Sequence, residues 1–364
     1  MSSTPLQIAV FPGDGIGPEV ITPTIEILKL LEARLGGFRL AFQEYPVGAK
    51  LYRETGEDIS VESFEAARAA DAILLGAIGL PDVRYPDGTE IKPHLRMRDE
   101  FGLYAGVRPV KAYPNTTRRL LDERAANIDL IILRESTEGL FFTQGCGEVS
   151  DTEARETLRI TRATTEKLSD VAFKLARRRK SRGGKGRVTC VDKSNVFRAF
   201  AFFRQIFLER AAKNTDITAD CAYVDAMALD LIRRPWDFDV LVMENMFGDI
   251  LSDLGGGLVG GMGMASCAEL GDNHALFQPA HGSAPDIAGQ GKANPIATFL
   301  SAAMMLDWLG ERHGIERLSE AAAIFEEAID TGFAKGRLRP MEFGGDQGSR
   351  DVTLEVIRTI EERL

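Results

Sequence analysis

The sequence predicts an α/β protein with a largely parallel sheet, and three observations carry that prediction. Strand-like apolar runs alternate with stretches of helical periodicity along the chain. A glycine-rich turn joins the first strand to the first helix. The 364 residues, 44% hydrophobic and 27% charged, are enough for two lobes. In order, the pattern gives a strand over Leu6 to Phe11, a helix from about Pro18 to Leu35, and strands at Arg39 to Tyr45 and Ala72 to Gly76. Strands at Asp129 to Leu133 and Val188 to Asp192 follow, the second leading into a helix from Asn195. A strand at Asp239 to Met243 then precedes a helix from about Phe247. After the glycine-dense stretch Gly255 to Gly263 the last hundred residues read as mainly helical, including Pro295 to Leu309 and Leu318 to Asp330, packing back on the first lobe.

Composition narrows the function. A net charge of -10 repels nucleic acid and anionic membranes. The one basic run, Arg177, Arg178, Arg179, Lys180, Arg182, Lys185 and Arg187, has no interleaved aromatics and reads as a solvated helix end. No apolar run approaches the roughly 18 residues of a membrane span, and the N-terminal residues lack a basic-then-apolar leader, so a cytoplasmic protein is expected. The four cysteines, Cys146, Cys190, Cys221 and Cys267, are scattered without a CxxC pair and are expected to be reduced, mostly buried thiols.

Several motifs suggest chemistry. Gly13-Asp14-Gly15-Ile16-Gly17-Pro18 fails the dinucleotide fingerprint, since proline stands where the third glycine is needed, and reads instead as a tight strand-to-helix turn. Asp249 and Asp253, four apart, would repel each other on one helix face unless a hard divalent cation neutralised them. A helix cap at Asp249 with Asp253 in solvent is the alternative. Arg98, Arg108 and Arg134 lie at element ends outside charge runs, where arginine forks can grip carboxylates; structural ion pairs would look the same. Lys193 follows a buried strand, a common place for functional groups, although a surface lysine also fits. The segment His281 to Pro295 is too irregular for helix or strand and reads as a binding loop, with a structural loop around a buried histidine as the alternative.

Together these segments resemble the β-decarboxylating dehydrogenases, the family of 3-isopropylmalate, isocitrate, homoisocitrate and tartrate or D-malate dehydrogenases. The resemblance rests on Gly13 to Glu19, Arg98 and Arg108 ten apart, Arg134-Glu135-Ser136-Thr137-Glu138-Gly139, Asp192-Lys193-Ser194-Asn195, Val224-Asp225-Ala226-Met227, Phe247 to Leu254, and His281 to Pro295. It implies an isopropylmalate/isocitrate dehydrogenase-like two-domain fold that is not a Rossmann fold. Residues 1-103 with 260-364 would form the cofactor-binding domain, and 104-259 the dimerisation and substrate/metal domain.

By the same resemblance, Arg98, Arg108 and Arg134 clamp a small dicarboxylic hydroxy acid, and Leu95, His94, Asn195 and Val196 border its 3-substituent. Asp225, Asp249 and Asp253 would hold Mg2+ or Mn2+, and Lys193 would be the base near the 2-hydroxyl. Lys193 and Asp225 would come from the partner subunit of a homodimer. Ile16 and Ala77 would lie near the nicotinamide of NAD, while His281, Gly282, Ala284, Asp286, Ile287 and Asn294 would hold its adenosine half. Asp286 can accept from ribose hydroxyls and would repel a 2'-phosphate, which favours NAD over NADP.

One position departs from the family. Phe141 stands where its members carry an acidic tyrosine, so the protonation that follows loss of CO2 lacks its usual donor. Leu95 favours a small or apolar 3-substituent, as in 3-isopropylmalate enzymes. Glu138, His94 and Ile91 depart from those enzymes, and Ser136-Thr137-Glu138-Gly139 looks more like the tartrate, isocitrate and homoisocitrate branches. A catalytically weak regulatory subunit is the reading from another class.

Overall fold

The computed structural model describes residues 4-364. Its strands are β1 (Leu6–Gly13), β2 (Leu40–Glu44), β3 (Ala72–Ala77), β4 (Ala105–Lys111), β5 (Asp129–Glu135), the short hairpin β6 (Glu148–Val149) and β7 (Ala154–Arg155), β8 (Arg187–Asp192), β9 (Thr218–Tyr223), β10 (Val240–Met243), β11 (Ser266–Leu270) and β12 (Ala275–Pro279). The helices are α1 (Gly17–Leu35), α2 (Ala49–Thr55), α3 (Val61–Ala69), α4 (Pro93–Glu100), α5 (Arg162–Ser181), α6 (Arg198–Ala211), α7 (Val224–Arg233), α8 (Asn245–Leu258), α9 (Ile296–His313), α10 (Glu316–Ala334) and α11 (Ser349–Arg363).

Among these residues a ten-stranded sheet runs in the order β2-β1-β3-β12-β11-β4-β5-β10-β8-β9. Its two ends are parallel: β2, β1, β3 and β12 on one side, β5, β10, β8 and β9 on the other. They meet through three antiparallel pairings, β12 with β11, β11 with β4 and β4 with β5. Strands from residues 1-103 and 260-364 fill one half, and those from 104-259 fill the other. This is not the strand order of a Rossmann sheet. The strands are apolar on both faces, as helix-covered sheet requires: all six residues of β3 and all four of β10 are buried.

The expected α/β class and glycine turn hold, and Pro18 sits in the first turn of α1, where its missing N–H costs nothing. Three expectations change. The last hundred residues are not only helical, since β11 and β12 fill the centre of the sheet. The helix expected from Asn195 begins at Arg198, after a turn whose Val196 N–H donates to the Lys193 carbonyl at 3.1 Å. Cys146 is exposed and Cys221 half-buried; Cys190 and Cys267 are buried, and all four are free thiols. Much of the basic run is consumed in ion pairs, Arg177 with Asp216, Arg178 with Asp307, and Arg179 with Asp129 and Asp239. No helix among the described residues is long and apolar enough to cross a membrane.

Candidate active site

The site is built where the antiparallel centre of the sheet meets α4 and α8. Arg98 ends α4, Arg108 lies on β4 and Arg134 near the end of β5; all three are buried. Three buried guanidiniums near one another must be compensated. Arg134 donates its Nε to Asn245 at 2.8 Å and pairs with Asp249. Arg108 stands 3.7 Å from Asp249 and 4.0 Å from Asp253, and donates to the Ser252 hydroxyl at 2.5 Å. Burial and the neighbouring Arg98 and Arg108 charges pull Arg134 down to about 10, so it stays cationic at neutral pH. The Nε atoms of Arg98 and Arg108 are buried without partners, aimed donors that an anionic ligand would satisfy.

Asp249 and Asp253 project from one face of α8, which is capped not by Asp249 but by Glu244, whose carboxylate accepts from the Phe247 N–H. That removes the cap alternative. Gly248 is required here because a Cβ would strike the Arg134 side chain. The side chains of Asp249 and Asp253 are 47% and 64% exposed, so an ion could reach them. Burial and repulsion from Asp249 raise the Asp253 carboxyl above its ordinary range, against the pull of Arg108. Two hard oxygen donors four residues apart suit Mg2+ or Mn2+.

Lys193 and Asp225 are elsewhere. They pair with each other at 2.6 Å, Lys193 in the turn after β8 and Asp225 in the first turn of α7. That hydrogen bond holds the exposed Asp225 carboxyl below the usual carboxylate range. Among the described residues no three His, Cys, Asp or Glu side chains stand close enough to hold a metal, so Asp225 does not join Asp249 and Asp253 within one chain. Asn195 and Val196 are exposed beside Lys193.

Leu95 and Phe141 line a common cavity of about 480 Å³ with Tyr85, Lys92, Ser136 and Thr137. The Phe141 ring faces Arg134, with the guanidinium carbon 5.1 Å from the ring centre, so it borders the arginine cluster. His94, one turn before Arg98, is half-buried with Nδ1 unpartnered; burial and the Arg98 charge lower it to about 3, so it is neutral.

A second region gathers the residues expected to hold the dinucleotide. Asp14 accepts from the backbone N–H groups of Ala49, Lys50 and Gly79 at 2.8 Å each, pinning the turn after β1 to α2 and to the loop after β3. The Asp14 N–H in turn donates to the Ala77 carbonyl at 2.7 Å, and a side chain at Gly13, whose φ is 77°, would strike that carbonyl. Ile16 donates its N–H to the Ser283 carbonyl at 2.8 Å and packs with Val20, Ala284, Ile287, Ala288 and Ala293. The two predicted cofactor segments therefore form one surface. Asn294 is fixed by Glu342 at 2.9 Å, and Asp286 and Gly282 are exposed. His281 has a buried Nε2 without a partner, and burial keeps its ring pKa low. Ala284 is held at φ 38°, a conformation costing about 1–3 kcal/mol, which marks this loop as locally strained.

Sequence reasoning missed Glu269. It lies on β11, fully buried, 2.8 Å from Arg98. Burial alone would raise its carboxyl, but Arg98, Arg108 and Arg134 outweigh that and hold it below the ordinary value. The signal is an acidic residue inside the short run Ser-Cys-Ala-Glu-Leu, within a region whose sequence reads as mainly helical. Asp14 and Glu342 were missed as well; each acts on backbone N–H groups, which no side-chain motif announces.

The isocitrate/isopropylmalate dehydrogenase family model matches residues 7–357. A 3-isopropylmalate/3-methylmalate dehydrogenase of Methanocaldococcus jannaschii is 39% identical over 358 residues, covering 98% of this chain and 99% of the relative. A 3-isopropylmalate dehydrogenase of Heyndrickxia coagulans is 41% identical over 336 residues, covering 89% and 87%. Among solved structures, isocitrate dehydrogenase from Methylococcus capsulatus superposes with a TM-score of 0.83 at 30% identity, covering 98% of this chain and 99% of that one. A β-decarboxylating dehydrogenase from Thermococcus kodakarensis does so at 0.79 and 36%, covering 98% and 96%. A buried arginine cluster facing paired aspartates, on this unusual sheet, thus comes with matches along nearly the whole chain, and the protein belongs to the isocitrate/isopropylmalate dehydrogenase family.

Proposed function

We propose that this protein oxidises, and decarboxylates, a 3-substituted malate of the 3-isopropylmalate type, using NAD and Mg2+ or Mn2+, in a homodimer whose active sites are shared. The observation that carries this reading is the buried cluster of Arg98, Arg108 and Arg134, two of which, Arg108 and Arg134, face Asp249 on α8. Three fixed forks suit the two carboxylates of a malate, with the aspartates placed for the cation beside it. When bound, the cation would supply Lewis-acid polarisation of the 2-hydroxyl and NAD would supply the hydride acceptor. Asp249 and Asp253, with Asp225 of the partner subunit, would hold the first. The surface of Ile16, His281, Ala284, Ile287 and Asn294 would hold the second, where an orphaned His281 Nε2 is ready for a ligand.

The protein's own groups then divide the work. The arginines orient the substrate and screen its charge. Lys193 is a suitable relay for the hydroxyl proton, since Asp225 already orients its ammonium. Dimerisation is supported by the separation of Lys193 and Asp225 from the aspartates of α8. It is supported too by the exposed Leu229 and Ile232 of α7 and Ile250 of α8, two helices that pack together. In a shared site the partner's Asn195 and Val196 would lie near the 3-substituent. The same reading sets this homodimer in the cytoplasm.

NADH formation with Mn2+ across 3-isopropylmalate, D-malate, the tartrates, isocitrate and homoisocitrate tests the reading. The highest kcat/KM is expected with 3-isopropylmalate, and NAD should be preferred over NADP because Asp286 would repel a 2'-phosphate. A folded, metal-loaded protein that turns over none of them would sink it.

Phe141 supports one alternative, a tartrate-like diol whose oxidation requires no proton at carbon 3. With a substrate that loses CO2, stopped-flow traces should show a fast first turnover of NADH and a slower steady phase, because Phe141 offers no proton. Phe141→Tyr should accelerate that slow phase, by at most the ~10²–10⁴-fold a general acid contributes. A linear wild-type trace with stoichiometric CO2 would show that another group already donates.

A further inference from the structure

Glu269 is a charge that the proposed chemistry does not use. It is fully buried on β11, bonded to Arg98 through Oε1 at 2.8 Å, while its Oε2 has no partner. Gly106 allows its approach, since a Cβ there would come within 3.0 Å of Oε2 and 2.8 Å of the Ser136 hydroxyl. Its Oε1 also receives the Cys267 thiol at 3.5 Å. Among the described residues it is the carboxylate both fully buried and ion-paired to the cluster: Asp249 and Asp253 are half-exposed, and the buried Glu244, which caps α8, makes no ion pair with Arg134.

Charge counting gives this residue a meaning, resting on the malate-type reading above. A divalent cation would match the two α8 aspartates, and Lys193 and Asp225, paired with each other, would add no net charge to the shared site. The three arginines and Glu269 then leave a net charge of +2 in a poorly solvated place. A malate with an uncharged 3-substituent carries two carboxylates and balances it. A tricarboxylate brings a third negative charge that exceeds the +2 of the buried cluster, close to a buried carboxylate that repels it. We infer that Glu269 is a specificity-determining residue, which selects dicarboxylates with an uncharged 3-substituent by cancelling one of the three arginine charges. Leu95, at the cavity beside the cluster, adds an apolar preference of the same sense.

Binding measured by calorimetry with Mg2+ and without NAD, so that no turnover occurs, separates this from a packing role. The wild-type protein should bind 3-isopropylmalate more tightly than isocitrate, by about tenfold or more. The near-isosteric Glu269→Gln should move that ratio toward isocitrate by about tenfold or more, and Glu269→Asp, which keeps the charge, should stay near wild type. A folded Glu269→Gln protein with an unmoved ratio would overturn the inference while leaving the malate-type reading intact. So would wild-type protein that binds the two equally, a result that needs no variant to fold. Wild-type protein that binds neither would take down the reading and the inference together.

Discussion

Lys193→Ala and Asp253→Asn proteins should each be inactive, and refolding them together should restore activity to about one quarter of the wild-type value. Random pairing makes half the dimers mixed, and each mixed dimer keeps one intact site of two. The logic comes from geometry. Lys193 is tied to Asp225, and this pair does not reach the Arg98, Arg108, Arg134, Asp249 and Asp253 cluster of its own chain. If the partner completes the site, one variant spoils the base and the other spoils the cation site, and a mixed dimer collects both defects in a single site. Asp253 is a better choice than Arg98 because its side chain is 64% exposed. Removing Arg98 would strand Glu269 as a buried unpaired charge, at about 3–5 kcal/mol of stability. Native mass spectrometry would establish that mixed dimers form, and their inactivity would place the whole site within one chain.

Removal of divalent metal should abolish turnover by about a thousandfold or more, since Lewis-acid stabilisation is worth several kcal/mol and no protein cation stands where it would act. Arg108 and Arg134 already face Asp249, but in the proposed reading they would also grip the substrate carboxylates, and a guanidinium cannot chelate a hydroxyl. Mg2+ or Mn2+ added back should restore the rate. It should also raise the melting temperature, because the ion relieves repulsion between Asp249 and Asp253 in the native state only; at a hundred times its dissociation constant the gain is about 2.7 kcal/mol. Full activity in chelator-treated protein shown to be metal-free by elemental analysis would defeat the metal assignment.

How much of this was legible in the sequence depended on the kind of signal. β1, β3, β5, β8 and β10 are short apolar runs and were readable. β4 was hidden by Pro109, which argues against a central strand. The structure resolves the conflict: β11 pairs with β4 only from Ala105 to Val107, so Pro109 lies past the end of that ladder and its missing N–H breaks no bond there. β11 and β12 are five residues each in glycine-rich surroundings, too short for periodicity to declare them. The same strand concealed Glu269, so one missed element removed a buried charge from view. Arg98, Arg108 and Arg134 could be named as carboxylate grips from resemblance, but their convergence depends on three antiparallel pairings that no local pattern encodes.

The strand order also sets when the molecule can become whole during synthesis. β12 is inserted between β3 and β11, and β11 joins it to β4, so strands made early flank strands made some two hundred residues later. Until residue 279 has left the ribosome, β3 and β4 each present a bare, apolar edge to solvent, a template for pairing with other nascent chains. Contacts of such sequence separation close slowly, because the entropy of a long loop must be overcome before any of them forms. The segments from β1 to β3 and from β8 to α8, by contrast, form their parallel ladders from neighbours in sequence and can condense before that junction closes. Translation therefore delivers the two parallel ends of the sheet early and leaves their junction waiting for the last third of the chain, and a polypeptide halted after α8 would hold Arg108 and Arg134 on paired β4 and β5 but lack the β11 and β12 that bring its glycine turn and Arg98 to them.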